Sequence, residues 1–203
     1  MPSRNILKID LRDTYYHVYA RGVNKQSIFI EPDDYFAFMH LLKRYLSKKQ
    51  AKNPHGIPYP HLYEKIENLA FCLMPNHFHL LVYQIEPGSM TQLMRGVMTS
   101  YSRYFNTKYT RRGPLFESRY KASNINHEAY LMHISRYIHL NPKNWSDYRY
   151  SSLPYYLGVL NAEWVTPKKI LNLFNGTNEY LEFVADYREH KKVLDEIKME
   201  LAV

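Results

Sequence analysis

One cysteine in 203 residues, Cys72, excludes an intramolecular disulfide and any zinc site assembled from several thiolates. Flanked by apolar Phe71 and Leu73, the thiol is expected to be a small buried hydrophobe rather than a redox group. No uninterrupted apolar run approaches about 18 residues, so no membrane-spanning helix and no membrane partner are expected. The segment Met1-Pro2-Ser3-Arg4-Asn5 has no apolar signal core, and the expected location is the cytoplasm. Repeats and low-complexity tracts are absent. Acidic residues are too few to balance the basic ones: 19 Asp and Glu stand against 27 Lys and Arg, a formal net charge of +8 that favours a polyanionic partner. With 45% hydrophobic residues the chain lies outside the compositions of disordered proteins and is long enough to bury a core.

The surplus charge is concentrated. Between Arg95 and Lys121 seven cations (Arg95, Arg103, Lys108, Arg111, Arg112, Arg119 and Lys121) face Glu117 alone. Tyr101, Tyr104, Phe105, Tyr109, Phe116 and Tyr120 are interleaved with them. Cations alternating with rings suit a surface that neutralises phosphates and stacks bases, although a solvated helix face with core tyrosines has the same composition. Arg111-Arg112 at a helix end is the sharpest part. The turn Arg21-Gly22-Val23-Asn24-Lys25 offers a second polar contact point.

Hydrophobic patterning gives an element order. Thr14–Arg21 is β-branched and aromatic and ends at Gly22, as a strand would. Residues 33–49 place Phe36, Met39, Leu42 and Leu46 at helical spacing. Two strands, 66–74 and 77–85, are separated only by Pro75-Asn76, the chemistry of a tight hairpin. A second helix, capped by Ser89, runs to about Tyr109; Leu115–Ala122 is a fourth extended segment; a third helix spans 126–140 and stops before Pro142. A charged helix is expected over 178–201. This order predicts an α+β fold of ferredoxin-like type, a mainly antiparallel sheet with packed helices.

Two motifs carry chemistry. In His77-Phe78-His79 the alternation of a strand puts both imidazoles on one face, half a metal site, although an isolated His-x-His is more often a pair of hydrogen-bonded residues. Tyr137 and Asn141, four apart on a helix, share a face about 6 Å apart. A phenol is a weak nucleophile near neutral pH unless a base or metal assists, and His77, His79 and Asn141 could together supply three ligands to such an ion. By spacing alone, a packing tyrosine and a helix-ending asparagine explain the second pair as well.

Three stretches together, Leu73-Met74-Pro75-Asn76-His77-Phe78-His79-Leu80-Leu81, Gly113-Pro114-Leu115-Phe116-Glu117-Ser118-Arg119-Tyr120-Lys121-Ala122 and Tyr137-Ile138-His139-Leu140-Asn141-Pro142, resemble the single-tyrosine HUH transposases. The nearest branch is that of the bacterial REP-associated tyrosine transposases, and the similarity runs from Tyr16 to about Leu157. The resemblance implies an HUH-type catalytic domain over residues 1–157 and a helical C-terminal extension over 158–203. It implies His77 and His79 as metal ligands completed by Asn141, Tyr137 as the nucleophile, and Mg²⁺ or Mn²⁺ as cofactor. The implied reaction is cleavage and rejoining of single-stranded or hairpin DNA through a 5′-phosphotyrosine link, in transposition or in processing of REP elements. The implied setting is the bacterial cytoplasm, at the nucleoid, with a homodimer as one family arrangement. A non-catalytic regulator that binds single-stranded DNA on the same fold is the alternative. The DNA-contacting set expected is Arg21, Asn24, Lys25, Arg95, Arg103, Arg111, Arg112, Arg119, Tyr120 and Lys121, with Arg136 beside the tyrosine.

Overall fold

The computed structural model describes residues 10–186. Strands β1 (Thr14–Arg21), β2 (Ile66–Met74), β3 (His77–Gln84) and β4 (Lys121–Ile125) form one sheet in the order β2-β3-β1-β4, with every neighbouring pair antiparallel. Helices α1 (Pro32–Leu46) and α2 (Ser89–Lys108) connect them in the ferredoxin-like sequence. Helix α3 (Glu128–Leu140) and the short α4 (Leu153–Tyr156), α5 (Lys168–Leu171) and α6 (Thr177–Ala185) follow. The expected α+β ferredoxin-like architecture is observed.

Strand alternation divides the sheet into two chemistries. Phe78, Leu80 and Val82 of β3 and Tyr16, Val18 and Ala20 of β1 belong to the core shared with α1 and α2. Leu81, Tyr19, Cys72 and Ala70 belong to a second core shared with α3, α5 and α6. Residues 158–186 therefore fold onto the sheet: Ile170, Tyr180 and Val184 are fully buried against α3, and Thr166 N–H donates to Asn68 O at 2.9 Å.

The first helix buries Leu42 and Leu46 as expected, but the first half of its stripe differs, with Met39 half-buried. Tyr35, Phe38, Leu42 and Tyr45 face inward at spacings of three and four, whereas Phe36 is 47% exposed. Tyrosine fills these positions because its ring packs while its hydroxyl reaches an edge. Helices α1 and α2 approach closely at Gly96, where a Cβ would lie 2.5 Å from the Tyr45 hydroxyl. The N-cap of α2 is Gly88 at φ 83°, not Ser89, which is its first helical residue. Gln84 Oε1 at the end of β3 accepts from Met90 N–H at 2.9 Å and takes over the capping role expected of a serine.

The fourth strand lies later than expected. Leu115, Phe116 and Tyr120 are buried but residues 117–119 are exposed, a pattern no strand alternation gives, and Phe116 makes only an isolated bridge to Gly22. Lys121–Ile125 is the segment in register with Tyr15–Tyr19. Ser123 and Asn124 make it too polar to read as a strand. Of the charged helix expected over 178–201, Thr177–Ala185 is helical, and residues 187–203 lie outside those described.

Asp34 locks the two helices together. Its fully buried carboxylate accepts from Ile30 N–H at 2.8 Å, Glu31 N–H at 3.1 Å, Lys108 Nζ at 2.9 Å and Tyr109 O–H at 2.8 Å. Desolvation raises the carboxyl's pKa, but these donors outweigh it and hold it below the usual carboxylate range. Asp34→Ala is expected to cost roughly 3 kcal/mol, because buried donors lose their acceptor, and to lower Tm by about 6–12 °C. Since the folded carboxyl is the stronger acid, wild type should keep this contribution above about pH 4 and lose it as pH falls further. Thermal unfolding of both proteins from pH 7 to pH 3 measures the effect, and a constant difference over that range would show that Asp34 is not the group responsible.

Candidate active site

The face of the sheet covered by α3 carries the histidines. Alternation puts His77 and His79 of β3 on this side, together with His17 and Tyr19 of β1. His79 is buried and His77 half-buried, with ring centroids 5.0 Å apart. Helix α3 is held down by the fully buried His139, whose Nδ1 lies 2.7 Å from Tyr180 Oη and Nε2 2.7 Å from Ser152 Oγ. Ser152 Oγ in turn accepts from Phe71 N–H of β2 at 2.8 Å. This chain of contacts positions Tyr137, two residues before His139. The Tyr137 ring meets His79 edge-on at 5.3 Å and His17 at 5.9 Å, centroid to centroid.

Asn141 at the C-cap of α3 keeps helical geometry, which returns its side chain over Tyr137. Its Oδ1 lies 3.1 Å from His77 Nε2, and its amide also hydrogen-bonds the Tyr137 phenol. The four residues His77, His79, Tyr137 and Asn141 are thus brought together from β3 and α3.

The protonation pattern bears on whether a cation fits. His77 Nδ1 is 2.7 Å from Asn76 Oδ1, and Asn76 is oriented by donating from Nδ2 to Lys25 O at 3.1 Å. This assigns the His77 proton to Nδ1 and leaves Nε2 as a bare lone pair facing another lone pair, Asn141 Oδ1. Two lone pairs converging at 3.1 Å fit a positive ion between them better than they fit each other. Among the described residues no group of three or more His, Cys, Asp or Glu surrounds such a point. The donor set is imidazole nitrogen plus an amide oxygen, which suits a divalent ion that also takes phosphate oxygens.

Burial keeps the site uncharged at rest. It lowers His79 well below the ordinary imidazole value, helped by the neighbouring His17, His77 and Arg21, and it lowers His77 as well. Burial pushes the Tyr137 phenol up to about 12, against the opposing hydrogen bond from Asn141. The imidazoles need shed no proton to bind a metal, whereas the phenol must lose one to attack.

The expected DNA-contacting residues divide into groups. Arg21, half-buried, pairs with His77 across β1 and β3. Beyond it Asn24 and Lys25 are exposed in left-handed conformations, φ 52° and 59°. Gly22 lets this turn close, since a Cβ there would collide with the Gln26 carbonyl oxygen. Val23 N–H donates to Leu115 O and Glu117 N–H to Arg21 O, both at 3.0 Å, which draws the loop after α2 to the same end of the sheet. Arg112 and Arg119 are exposed on that loop; Arg111 is half-buried, its guanidinium donating to Asn106 Oδ1 and Pro114 O; Lys121 opens β4 opposite Tyr19. Arg95 and Arg103 are exposed on α2, in the layer across the sheet from Tyr137.

Two members of the set are not on this surface. Tyr120 is buried among the residues under α1 and α2, its hydroxyl 2.9 Å from Thr91 Oγ1, so its ring has no free face for a base. Arg136 is fully buried between α3 and α6, stacked on Phe183 at 3.7 Å, and donates from Nη1 to Asp186 O at 2.8 Å. A residue next to Tyr137 in the chain points about 100° away from it on a helix, which is why proximity in sequence misled. In the other direction, sequence reading passed over His17, fully buried with Nε2 3.0 Å from His79 Nδ1. Only the β1–β3 register, which sets Tyr19 opposite His79, brings the two rings together.

A four-stranded antiparallel ferredoxin-like sheet with a His-x-His pair under a helix carrying tyrosine and asparagine one turn apart defines the class of this domain. Residues 61–141 match the model of the family described as Transposase IS200 like. This agrees with the resemblance drawn from the three motifs. Among solved structures, that of a REP-associated tyrosine transposase bound to a REP hairpin is similar, with a TM-score of 0.55 at 16% identity over 79% of this chain and 89% of that one. At that identity the likeness concerns the fold. A Deinococcus radiodurans protein described as a transposase aligns with a TM-score of 0.40 at 13% identity over 68% of this chain and 95% of its own. No curated protein matches the sequence.

Proposed function

We propose that this protein cleaves and rejoins single-stranded or hairpin DNA, with Tyr137 as nucleophile and His77, His79 and Asn141 as ligands of Mg²⁺ or Mn²⁺. The observation that carries the reading is the convergence of Tyr137 and Asn141 of α3 with His77 and His79 of β3, at the sheet end where Arg112, Arg119 and Lys25 are displayed. The neighbour captured with a REP hairpin supports hairpin DNA as the substrate class.

In the forward step the Tyr137 oxygen forms a bond to phosphorus and the bond from phosphorus to the 3′-oxygen breaks. The phenol proton is lost and the departing oxygen becomes a 3′-hydroxyl. Attack by that hydroxyl on the phosphotyrosine reverses the step, so the phosphodiester energy is conserved. A bound divalent ion would supply Lewis-acid stabilisation of charge on the scissile phosphate. Asn141 holds the phenolic oxygen by hydrogen bonding and orients it toward the histidine pair. Burial of Tyr137 and His79 excludes water that would compete with the phenol. We assign the catalytic unit to residues 1–157 and an accessory role to 158–203. The protein is assigned to the cytoplasm at the nucleoid, as monomer or homodimer. Among the described residues no helix is long and apolar enough to cross a membrane.

The test uses hairpin oligonucleotides labelled at either end, with Mn²⁺ or with chelator, resolved on a denaturing gel. A 5′-phosphotyrosine link places the 3′ label on the protein and releases the 5′ label, only when metal is present. Attachment of the 5′ label would reverse the polarity of the reaction. Salt-sensitive binding with no adduct on any hairpin would make the chain a non-catalytic regulator instead.

A further inference from the structure

His17 belongs to none of the assigned roles, yet it is fully buried, and its Nε2 lies 3.0 Å from Nδ1 of His79 with the two rings stacked at 5.0 Å. Its other nitrogen, Nδ1, is buried with no hydrogen-bond partner among the described residues. Two neutral imidazoles facing through nitrogen share a single proton, so the pair has two arrangements. In one, His17 Nε2–H donates to His79 Nδ1. The remaining proton of His79 then sits on Nε2, which cannot bind a cation. In the other, His79 Nδ1–H donates to His17 Nε2, the proton of His17 sits on its unpartnered Nδ1, and His79 Nε2 is left bare. The buried unpaired N–H disfavours this arrangement until a cation on His79 Nε2 offsets the cost. Only the second arrangement makes His79 a ligand, just as Asn76 Oδ1 holds the proton of His77 on Nδ1 and leaves its Nε2 bare.

We propose that His17 is a positioning residue of the metal site: its Nε2 accepts from His79 Nδ1–H and so fixes the ring and tautomer in which His79 Nε2 is free to bind a divalent cation. The inference rests on His77, His79 and Asn141 being the metal ligands. A strand residue is well suited to the task. The β1–β3 ladder sets Tyr19 opposite His79 and Arg21 opposite His77, so His17 is held by the backbone rather than by a mobile loop. A hydrogen-bonding outer partner fixes both the orientation and the basicity of a ligating histidine, and its loss typically weakens metal binding about 10- to 100-fold.

The experiment compares wild type, His17→Leu and His17→Gln for Mn²⁺ affinity by titration calorimetry, with folding followed by circular dichroism. The leucine variant lacks an acceptor and is expected to bind Mn²⁺ about 10- to 100-fold more weakly. The glutamine variant places Oε1 where Nε2 stood and should bind within about threefold of wild type if one acceptor suffices. Long-range ¹H–¹⁵N spectra of Mg²⁺-saturated wild type should show His79 protonated on Nδ1. Equal Mn²⁺ affinity in a folded leucine variant, failure of a folded glutamine variant to restore binding, or His79 carrying its proton on Nε2 would each overturn the role of His17. The wild-type spectrum decides the matter even where a variant does not fold. Failure of wild type itself to bind Mn²⁺ would instead overturn the metal reading beneath it.

Discussion

Tyr137→Phe is expected to abolish covalent attachment to labelled hairpin DNA, a loss of at least about 10³-fold in adduct formation, since no other group can form the O–P bond from that position. The fold should survive, because the ring remains in the second core and only the hydroxyl and its bond to Asn141 are removed, a cost of about 1 kcal/mol. DNA affinity should change by no more than a few-fold, since the exposed cations at Lys25, Arg112 and Arg119 are untouched. Gel-shift binding beside the denaturing gel separates the two effects. An adduct that persists would assign the nucleophile elsewhere. Tyr130, seven residues earlier on α3 and half-buried, is then the next residue to replace. Tyr101 is excluded, because it lies fully buried in the core across the sheet and gives its hydroxyl to the Ile28 carbonyl.

His77→Ala should weaken Mn²⁺ binding by at least about 100-fold and reduce adduct formation to the level seen with chelator, since a lost ligand costs no less than a lost outer partner. Half-buried at the start of β3, His77 can be truncated with little harm to packing, whereas buried His79 would leave a hole beside His17. Titration calorimetry with Mn²⁺ and the adduct assay report on the two parts of this expectation. Full adduct formation in a folded His77→Ala protein would remove His77 from the ligands the reaction requires.

Much of the fold was legible because strong local signals agreed with the tertiary outcome. The bounds of β1 and β2, the Pro75-Asn76 turn and the span of α2 follow from β-branched runs, turn residues and an apolar stripe. Weak local signals failed: β4 is polar where the neighbouring Leu115-Phe116 looked more strand-like, and the start of α2 is served by a glutamine from the strand before it. The site was legible in part for the same reason. A period of two puts His77 beside His79, and a period of 3.6 puts Tyr137 beside Asn141.

The sequence by itself determined which side chains share a face of one element, because backbone geometry repeats over a few residues regardless of what surrounds it. It also determined the basic balance and, with one cysteine, that no intramolecular disulfide forms. Only the tertiary structure decided which faces meet. The register of β1 on β3 brings His17 to His79 across 62 residues, and packing of α6 on α3 takes Arg136 out of solvent and onto Phe183. Likewise α2 carries Arg95 and Arg103 to the layer opposite Tyr137, while the loop after it delivers Arg112 and Arg119 to the end of the sheet where the histidines lie. Such pairings are set by burial and hydrogen bonding between segments far apart in the chain, a balance that no local pattern encodes.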